Sequence, residues 1–432
     1  MISITKLFCG VEQSGDRIRY GHQPGAKSAA AGKSTTAGHV PKTASERRPV
    51  VVWSCTRSCN LRCVHCYTDS ESKRYPDELS HEEARSLIDD LTRFKSPALL
   101  LSGGEPLLRP DLLELAAYAG DCGLRCTLST NGTLITADKA RRIKDLGFAY
   151  VGISLDGIGE VNNRFRNHPN AFAMAMEGFR HCKEVGQRVG LRMTLTRHNF
   201  HDLSRIFDFI EEEGIDRACF YHLAYAGRGA ELAADDLTHE ETRQALDLII
   251  DRTQDFHARG LDKDILTVDN HVDGVYLYLR LHWENPERAI ETLRLLRWNG
   301  GGLYSSGVGI GNVDFTGNVH PDQFWQNYSL GNVRERPFSE IWMDESDPLM
   351  HGLKNRRSAI KGQCRVCRWF DACGGALRVR ADQAYGDSFA WDPACYLTLE
   401  ERGISQEDVN ELKARGEWHE PPQAKAAIPK VN

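Results

Sequence analysis

Three cysteines fall within eight residues, Cys59, Cys63 and Cys66, in the spacing C-x3-C-x2-C, directly behind the apolar run Val50-Val51-Val52-Trp53. A strand that ends in such a loop must deliver three thiols to one place. Three thiolates can hold three irons of a [4Fe–4S] cube and leave the fourth iron open to another ligand. Two plainer uses compete with this one. Half of a structural zinc site would show paired C-x2-C ligands, and disulfide pairing needs an oxidising compartment. The chain has 13 cysteines, and Met1 to Gly10 lacks the sustained apolar core of a signal peptide. A reducing cytoplasm is therefore expected, where clustered cysteines bind metal more often than they form bridges.

A second segment sharpens the reading. Gly103-Gly104-Glu105-Pro106 follows the apolar run 98–102. Two glycines let backbone approach a ligand closely, Glu105 and nearby carbonyls could receive an ammonium group, and Pro106 fixes the exit of the turn. Together with the cysteine spacing and Tyr67 behind the third thiol, this resembles the radical SAM superfamily and its GGE motif. The resemblance implies S-adenosylmethionine (SAM) on the open iron, cleaved by one electron to a 5′-deoxyadenosyl radical, with Tyr67 near the adenine. It further implies that Gly103, Gly104, Glu105 and Pro106 contact SAM, with Ser154 and Arg166 at its ribose and carboxylate. Asn131, Asp156, Arg192 and the segment Tyr225 to Gly229 are further candidates at strand ends, although helix caps and solvated charges would explain Asn131 and Asp156 equally well.

The pattern around these motifs is a βα alternation. Strands are expected at 50–54, 98–102, 124–129, 150–155, 190–196 and 218–223, with amphipathic helices at 80–94, 109–119, 136–146, 171–185 and 201–213. Such alternation means parallel strands with right-handed crossovers. Six units predict an α/β fold, a partial (β/α)6 TIM barrel of the radical SAM type, with its site at the C-terminal strand ends. Helices are expected at 240–259 and 286–298, and a hairpin at 308–319 turning at Asp314 to Asn318. The predicted organisation is a flexible N-terminal segment at 1–48, rich in Ala, Gly, Ser and Thr, the barrel at 49–260, a C-terminal domain at 261–405 and a frayed tail at 406–432. A net charge of −6 argues against nucleic acid, and no apolar run is long enough for a membrane.

Cys364, Cys367 and Cys373, spaced C-x2-C-x5-C, are followed by Cys395. Four thiolates suit either a fully ligated cluster or tetrahedral zinc, and spacing alone does not separate them. Behind such a barrel the pattern resembles the SPASM/Twitch extension, which implies a second, auxiliary [4Fe–4S] cluster with Gly374 and Gly375 packed against sulfur. Cys55, Cys122, Cys126, Cys182 and Cys219 read as core residues.

The stretches Asn299 to Gly302, Gly309 to Phe315, His320 to Trp325, Cys373 to Ala381 and Asp392 to Leu397 are similar to the radical SAM proteins of heme d1 biosynthesis. That resemblance implies 12,18-didecarboxysiroheme as substrate, loss of two propionates with keto groups in their place, and a small electron donor such as flavodoxin or ferredoxin. Arg297, Arg378 and Arg380 are candidates for the substrate carboxylates, and His271 or His320 for its iron. The alternatives are a siroheme-route heme decarboxylase, a SPASM maturase acting on a peptide, and a zinc protein without catalysis, against which the GGEP segment speaks.

Overall fold

The structure is a computed structural model and describes residues 1–21 and 43–420. Eleven strands form one sheet: β1 (Ile2–Ser3), β2 (Val50–Ser54), β3 (Leu99–Ser102), β4 (Cys126–Thr130), β5 (Val151–Ser154), β6 (Val189–Leu195), β7 (Arg217–His222), β8 (Asp264–Val268), β9 (Ile310–Val313), β10 (Asn318–His320) and β11 (Gly331–Asn332). Their order is β1-β8-β7-β6-β5-β4-β3-β2-β9-β10-β11. Strands β2 to β8 pair in sequence and in parallel. Among the described residues the two ends of this order do not pair, which leaves the barrel open. Buried on both faces, the parallel strands read as near-continuous apolar runs; Val51, Trp53, Leu99, Leu128 and Val151 have no exposed surface.

The expected helices stand where the pattern put them, including His81–Arg93, Ala171–Glu184 and His239–Ala258. The first opens on a capping box in which the Ser80 hydroxyl accepts from the Glu83 amide and the Glu83 carboxylate accepts from the Ser80 amide. The 308–319 hairpin is β9 and β10, and Asp314 Oδ1 accepts from the amides of Thr316 and Asn318 at its turn.

Three expectations need correction. Residues 1–20 do not belong to a flexible segment: β1 pairs antiparallel with β8, and Ile2, Ile4, Leu7, Phe8 and Tyr20 are buried. The low-complexity part of that segment, 22–42, and the end of the tail, 421–432, lie outside the described residues. Within the tail, Gln406–Ala414 is a capped helix that buries Val409 and Leu412. A barrel ending at 260 also omits a seventh parallel strand, β8, and β9 pairs in parallel with β2 at the other edge. The apolar core runs unbroken from the barrel through Phe338 and Trp342 to Trp369 and Trp391.

Candidate active site

The C-terminal ends of β3 to β7 open into one cavity. Cys59, Cys63 and Cys66 line it from the loop behind β2, with Tyr67, Ser102, Asn131, Ser154, Arg192, His222, Asp269 and Phe324 around them. The thiol loop is held through its own backbone. Cys59 N–H donates to Glu71 O at 3.0 Å and Val64 N–H to Phe165 O at 2.9 Å. Arg228 Nε donates to Cys63 O at 2.8 Å, and the Arg228 amide donates to Cys66 O at 3.0 Å. Burial pushes the Cys59 thiol up to about 12 and raises Cys63 as well, against the pull of Arg166. Without a metal the buried sulfurs therefore keep their protons, and a cationic iron cluster is what makes thiolates tolerable there.

The GGEP turn has a structural task beside the one expected of it. A Cβ on Gly103 would lie 2.3 Å from Thr56 O, and one on Gly104 2.3 Å from Ser58 O. The amides of Gly104 and Glu105 donate to those same carbonyls at 2.7 and 2.9 Å. The glycines thus let two loops lie against each other, while still bordering the cavity. Glu105 is fully buried. Its carboxylate accepts from Thr130 Oγ1 at 2.7 Å, the Asn131 amide at 2.8 Å and the Leu107 amide at 3.1 Å. These donors knit the ends of β3 and β4 together through the carboxylate, which does not itself border the cavity where the SAM ammonium was expected to meet it. Pro106 opens a short 3-10 turn, Pro106–Leu108, and stands behind Glu105.

Asn131 and Ser154 do border the cavity. Asn131 Nδ2 donates to Asn60 Oδ1 at 2.9 Å, tying the β4 end to the thiol loop. Arg166 is buried, pairs with the wholly buried Asp156, and directs Nη1 to Cys63 Sγ at 3.5 Å. Asp156 also faces His65 Nε2 at 3.3 Å and accepts from the Thr194 amide at 2.8 Å, so it is a strut rather than a helix cap. Arg192 reaches across from β6 to Ser129 and Tyr221. Gly152 makes room for it, since a Cβ there would lie 2.6 Å from Arg192 Cδ. Tyr67 donates or accepts at Ser102 Oγ, 3.2 Å away, and its ring meets Phe324 edge-on. Gly227 packs against the thiol loop: a Cβ there would lie 2.5 Å from Cys66 O.

The groups expected at a substrate are placed elsewhere. Arg378 and Arg380 are wholly buried. Arg378 caps the carbonyls of Gly375 and Ala390. Arg380 pairs with Asp392 at 2.9 Å and braces the carbonyls of Leu223 and Asp269 at 3.1 and 2.7 Å. Arg297 is exposed on the helix Pro286–Asn299. His320 uses both ring nitrogens, on Tyr328 O and Asp314, and His271 sits against the Met1 amine at 3.3 Å. Neither borders the cavity. The residue that sequence reasoning missed is His222. Its Nε2 lies 2.9 Å from Asp273 Oδ2, and Tyr396 OH donates to Asp273 Oδ1 at 2.9 Å. Burial works against the imidazolium of His222, but Asp273 more than offsets it and holds its pKa above the ordinary histidine value.

Cys364, Cys367, Cys373 and Cys395 line a second, almost wholly apolar hollow with Val272, Trp369, Phe370 and Trp391. Burial pushes Cys367 and Cys395 up to about 12 and about 11. The Gly375 amide donates to Cys373 Sγ at 3.4 Å, as expected of that glycine. Gly301 and Gly302 interlock with this loop: their Cβ atoms would lie 2.6 Å from Cys373 O and Ala376 O. Among the described residues no three His, Cys, Asp or Glu side chains converge on a single-ion site. The thiols stand around a hollow instead, which is what a multi-atom cluster needs.

A thiol site at the C-terminal strand ends of an open parallel barrel, with a second one in the segment that follows it, has a counterpart among known proteins. The chain matches the Radical SAM superfamily over residues 53–210 and SPASM, an iron-sulfur cluster-binding domain, over residues 310–368. It belongs to the radical SAM superfamily, among the members that carry a SPASM domain. One level finer, it is 52% identical over 406 residues, 93% of this chain and 99% of the relative, to the Fe-coproporphyrin III synthase of Methanosarcina barkeri. It is 44% identical over 386 residues, 87% of this chain and 94% of the relative, to the pre-heme d1 synthase of Dinoroseobacter shibae. In fold it is similar to native anSMEcpe with bound AdoMet, at a TM-score of 0.63 and 19% identity over 85% of this chain and 98% of that one. The cofactors of the family are a [4Fe–4S] cluster with SAM in the barrel and auxiliary iron–sulfur in the SPASM domain. Among the described residues no helix is long and apolar enough to cross a membrane.

Proposed function

We propose that the protein removes carboxylate-bearing side chains from an iron tetrapyrrole of the heme pathways. The observation that carries this reading is the lining of the first cavity. Beyond the thiols and Tyr67 it continues along Leu223, Ala224 and Phe324 to His222, an apolar stretch that ends in a basic group, with Arg192 and Asp269 in the same lining, suited to a flat macrocycle with charged edges beside SAM. Cys59, Cys63 and Cys66 hold the first cluster, and Cys364, Cys367, Cys373 and Cys395 hold the auxiliary one. When bound, the first cluster and SAM supply one-electron cleavage to a carbon-centred radical, fed by a donor of the flavodoxin or ferredoxin class. The protein's own residues fix the geometry: Arg166 and Asn131 position the thiol loop, Gly103, Gly104 and Ser154 border SAM, and Tyr67 covers its adenine.

Of the two tetrapyrrole products named for the relatives, Fe-coproporphyrin III is favoured by the higher identity and fuller coverage. The heme d1 reading stands second, supported by the pre-heme d1 relative and by the stretches at 299–302 and 320–325. The two differ at the ring periphery, since a coproporphyrin keeps its propionates and the d1 route loses two of them. Anaerobic incubation with SAM, dithionite and 12,18-didecarboxysiroheme, followed by mass spectrometry, separates them. Loss of two whole acetate side chains, with the ring becoming a porphyrin and all four propionates kept, supports the first. Loss of propionates with gain of oxygen supports the second. An unchanged tetrapyrrole alongside 5′-deoxyadenosine formation would overturn both.

A further inference from the structure

Two hollows meet at His222. The first is the thiol-lined cavity; the second lies beside it, between the loop after β7 and the C-terminal domain, bordered by Tyr225, Asp236, His239, Gln383 and Pro393. His222 is the one residue that borders both. Asp273 is wholly buried, and its carboxylate can only accept. In the neutral ring, the form that can bind a metal, the proton is held on Nε2 against Asp273 and the lone pair is left on Nδ1. Among the described residues no hydrogen bond uses Nδ1, and the His222 side chain keeps 10% of its surface exposed. Metal-binding imidazoles carry the same arrangement, one nitrogen on the metal and the other N–H on a carboxylate that fixes the ring and raises its basicity. Tyr396 completes the brace behind Asp273.

We infer that His222 is the axial ligand, through Nδ1, of the iron of a tetrapyrrole substrate that spans both hollows. The inference rests on the tetrapyrrole reading above and adds to it where the ring is held. Iron fixed at the shared wall puts one edge of the macrocycle in the chamber that contains Cys59, Cys63 and Cys66, within reach of a radical formed there. The opposite edge lies in the second hollow. His65 cannot take this part, because its Nδ1 is buried and its Nε2 faces Asp156. His239 borders only the second hollow and is tied to Pro393 O at 2.9 Å.

The test uses the cluster-loaded protein under anaerobic conditions with ferric coproporphyrin III and, in parallel, the metal-free ring. Wild type should shift the Soret band and the ferric EPR signal to those of an imidazole-ligated iron. His222→Ala should lose that signature and bind the iron ring at least about tenfold more weakly, and added imidazole should restore the band. The metal-free ring should bind wild type and His222→Ala equally, and His239→Ala should retain the wild-type spectrum. Asp273→Asn keeps the side-chain shape and should weaken iron-ring binding by about 10–100-fold without abolishing the signature. Iron and sulfide content and circular dichroism check that each variant is folded. Three outcomes overturn the inference: an unchanged spectrum in His222→Ala, loss of the signature in His239→Ala instead, or equal loss of the metal-free ring. Failure of wild type to bind either ring would sink the tetrapyrrole reading itself, and the inference with it.

Discussion

Gly104 and Arg166 show how little freedom the thiol loop has. A methyl at Gly104 would sit 2.3 Å from Ser58 O and 2.7 Å from Arg57 O, both backbone atoms that cannot swing aside. Gly104→Ala should therefore displace the loop and lose most of the barrel cluster while leaving the C-terminal one. Iron analysis and SAM cleavage measured on the same sample check this; full cleavage activity would refute it. Arg166 answers to a different rule. It neutralises Asp156, which has no exposed surface, and removing one partner of a buried pair strands the other. Arg166→Met should cost about 3–5 kcal/mol of stability, and the double variant Arg166→Met/Asp156→Asn markedly less. Denaturant unfolding of both proteins decides it, and equal midpoints for the two would show that the charge on Asp156 does not matter.

Among the elements, β1 and the turn after it close the β8 edge that would otherwise stand open for pairing with another chain. Leu7 is wholly buried there, and Thr292 Oγ1 donates to its carbonyl at 2.8 Å. Leu7→Ala should destabilise by about 2–5 kcal/mol, read as a lowered thermal midpoint; no shift would mean that the N-terminal segment is loosely attached. A two-residue strand has no periodicity, so nothing in Ile2-Ser3 could announce it. The six strands from β2 to β7 were legible because each is an apolar run between helical patterns. β8 was not, since Asp264-Ile-Leu-Thr-Val begins on an acid and runs straight into the polar, aperiodic Asp269-Asn-His. The helix Val272–Glu284 that follows it buries Val272, Asp273, Gly274, Val275, Leu277 and Leu281. It is covered on several sides and so shows no single apolar stripe. At the site, both sets of cysteines were legible from spacing. The glycines were legible only in part, because a sequence reports that a Cβ is forbidden and not which neighbour forbids it. His222 was invisible, as its meaning comes from Asp273 and Tyr396, far along the chain.

Across the molecule, the C-terminal thiols belong to the main apolar core while Cys59, Cys63 and Leu61 form a small cluster of their own, and a brace of side chains joins the two sites. His222 on the first cavity is fixed by Asp273, Asp273 by Tyr396, and Tyr396 is the chain neighbour of Cys395 in the second hollow. Replacing Cys364, Cys367, Cys373 and Cys395 together by Ala should halve the iron of the loaded protein from about eight to about four atoms. SAM cleavage should survive and tetrapyrrole turnover should stop. Iron analysis, 5′-deoxyadenosine yield and product mass spectrometry on one preparation check the three parts. Full turnover by this variant would leave the C-terminal site a purely architectural role.

The backbone ties on Cys59, Cys63, Cys66 and their neighbours come from Glu71, Phe165, Arg228 and the Gly103–Glu105 turn. None of them passes through iron. The loop thus has ties of its own besides those the irons would add, whereas a zinc finger depends on its metal to fold. A protein bleached by oxygen should therefore keep its circular dichroism spectrum and regain its iron on anaerobic refilling without a refolding step; loss of the spectrum on bleaching would refute this.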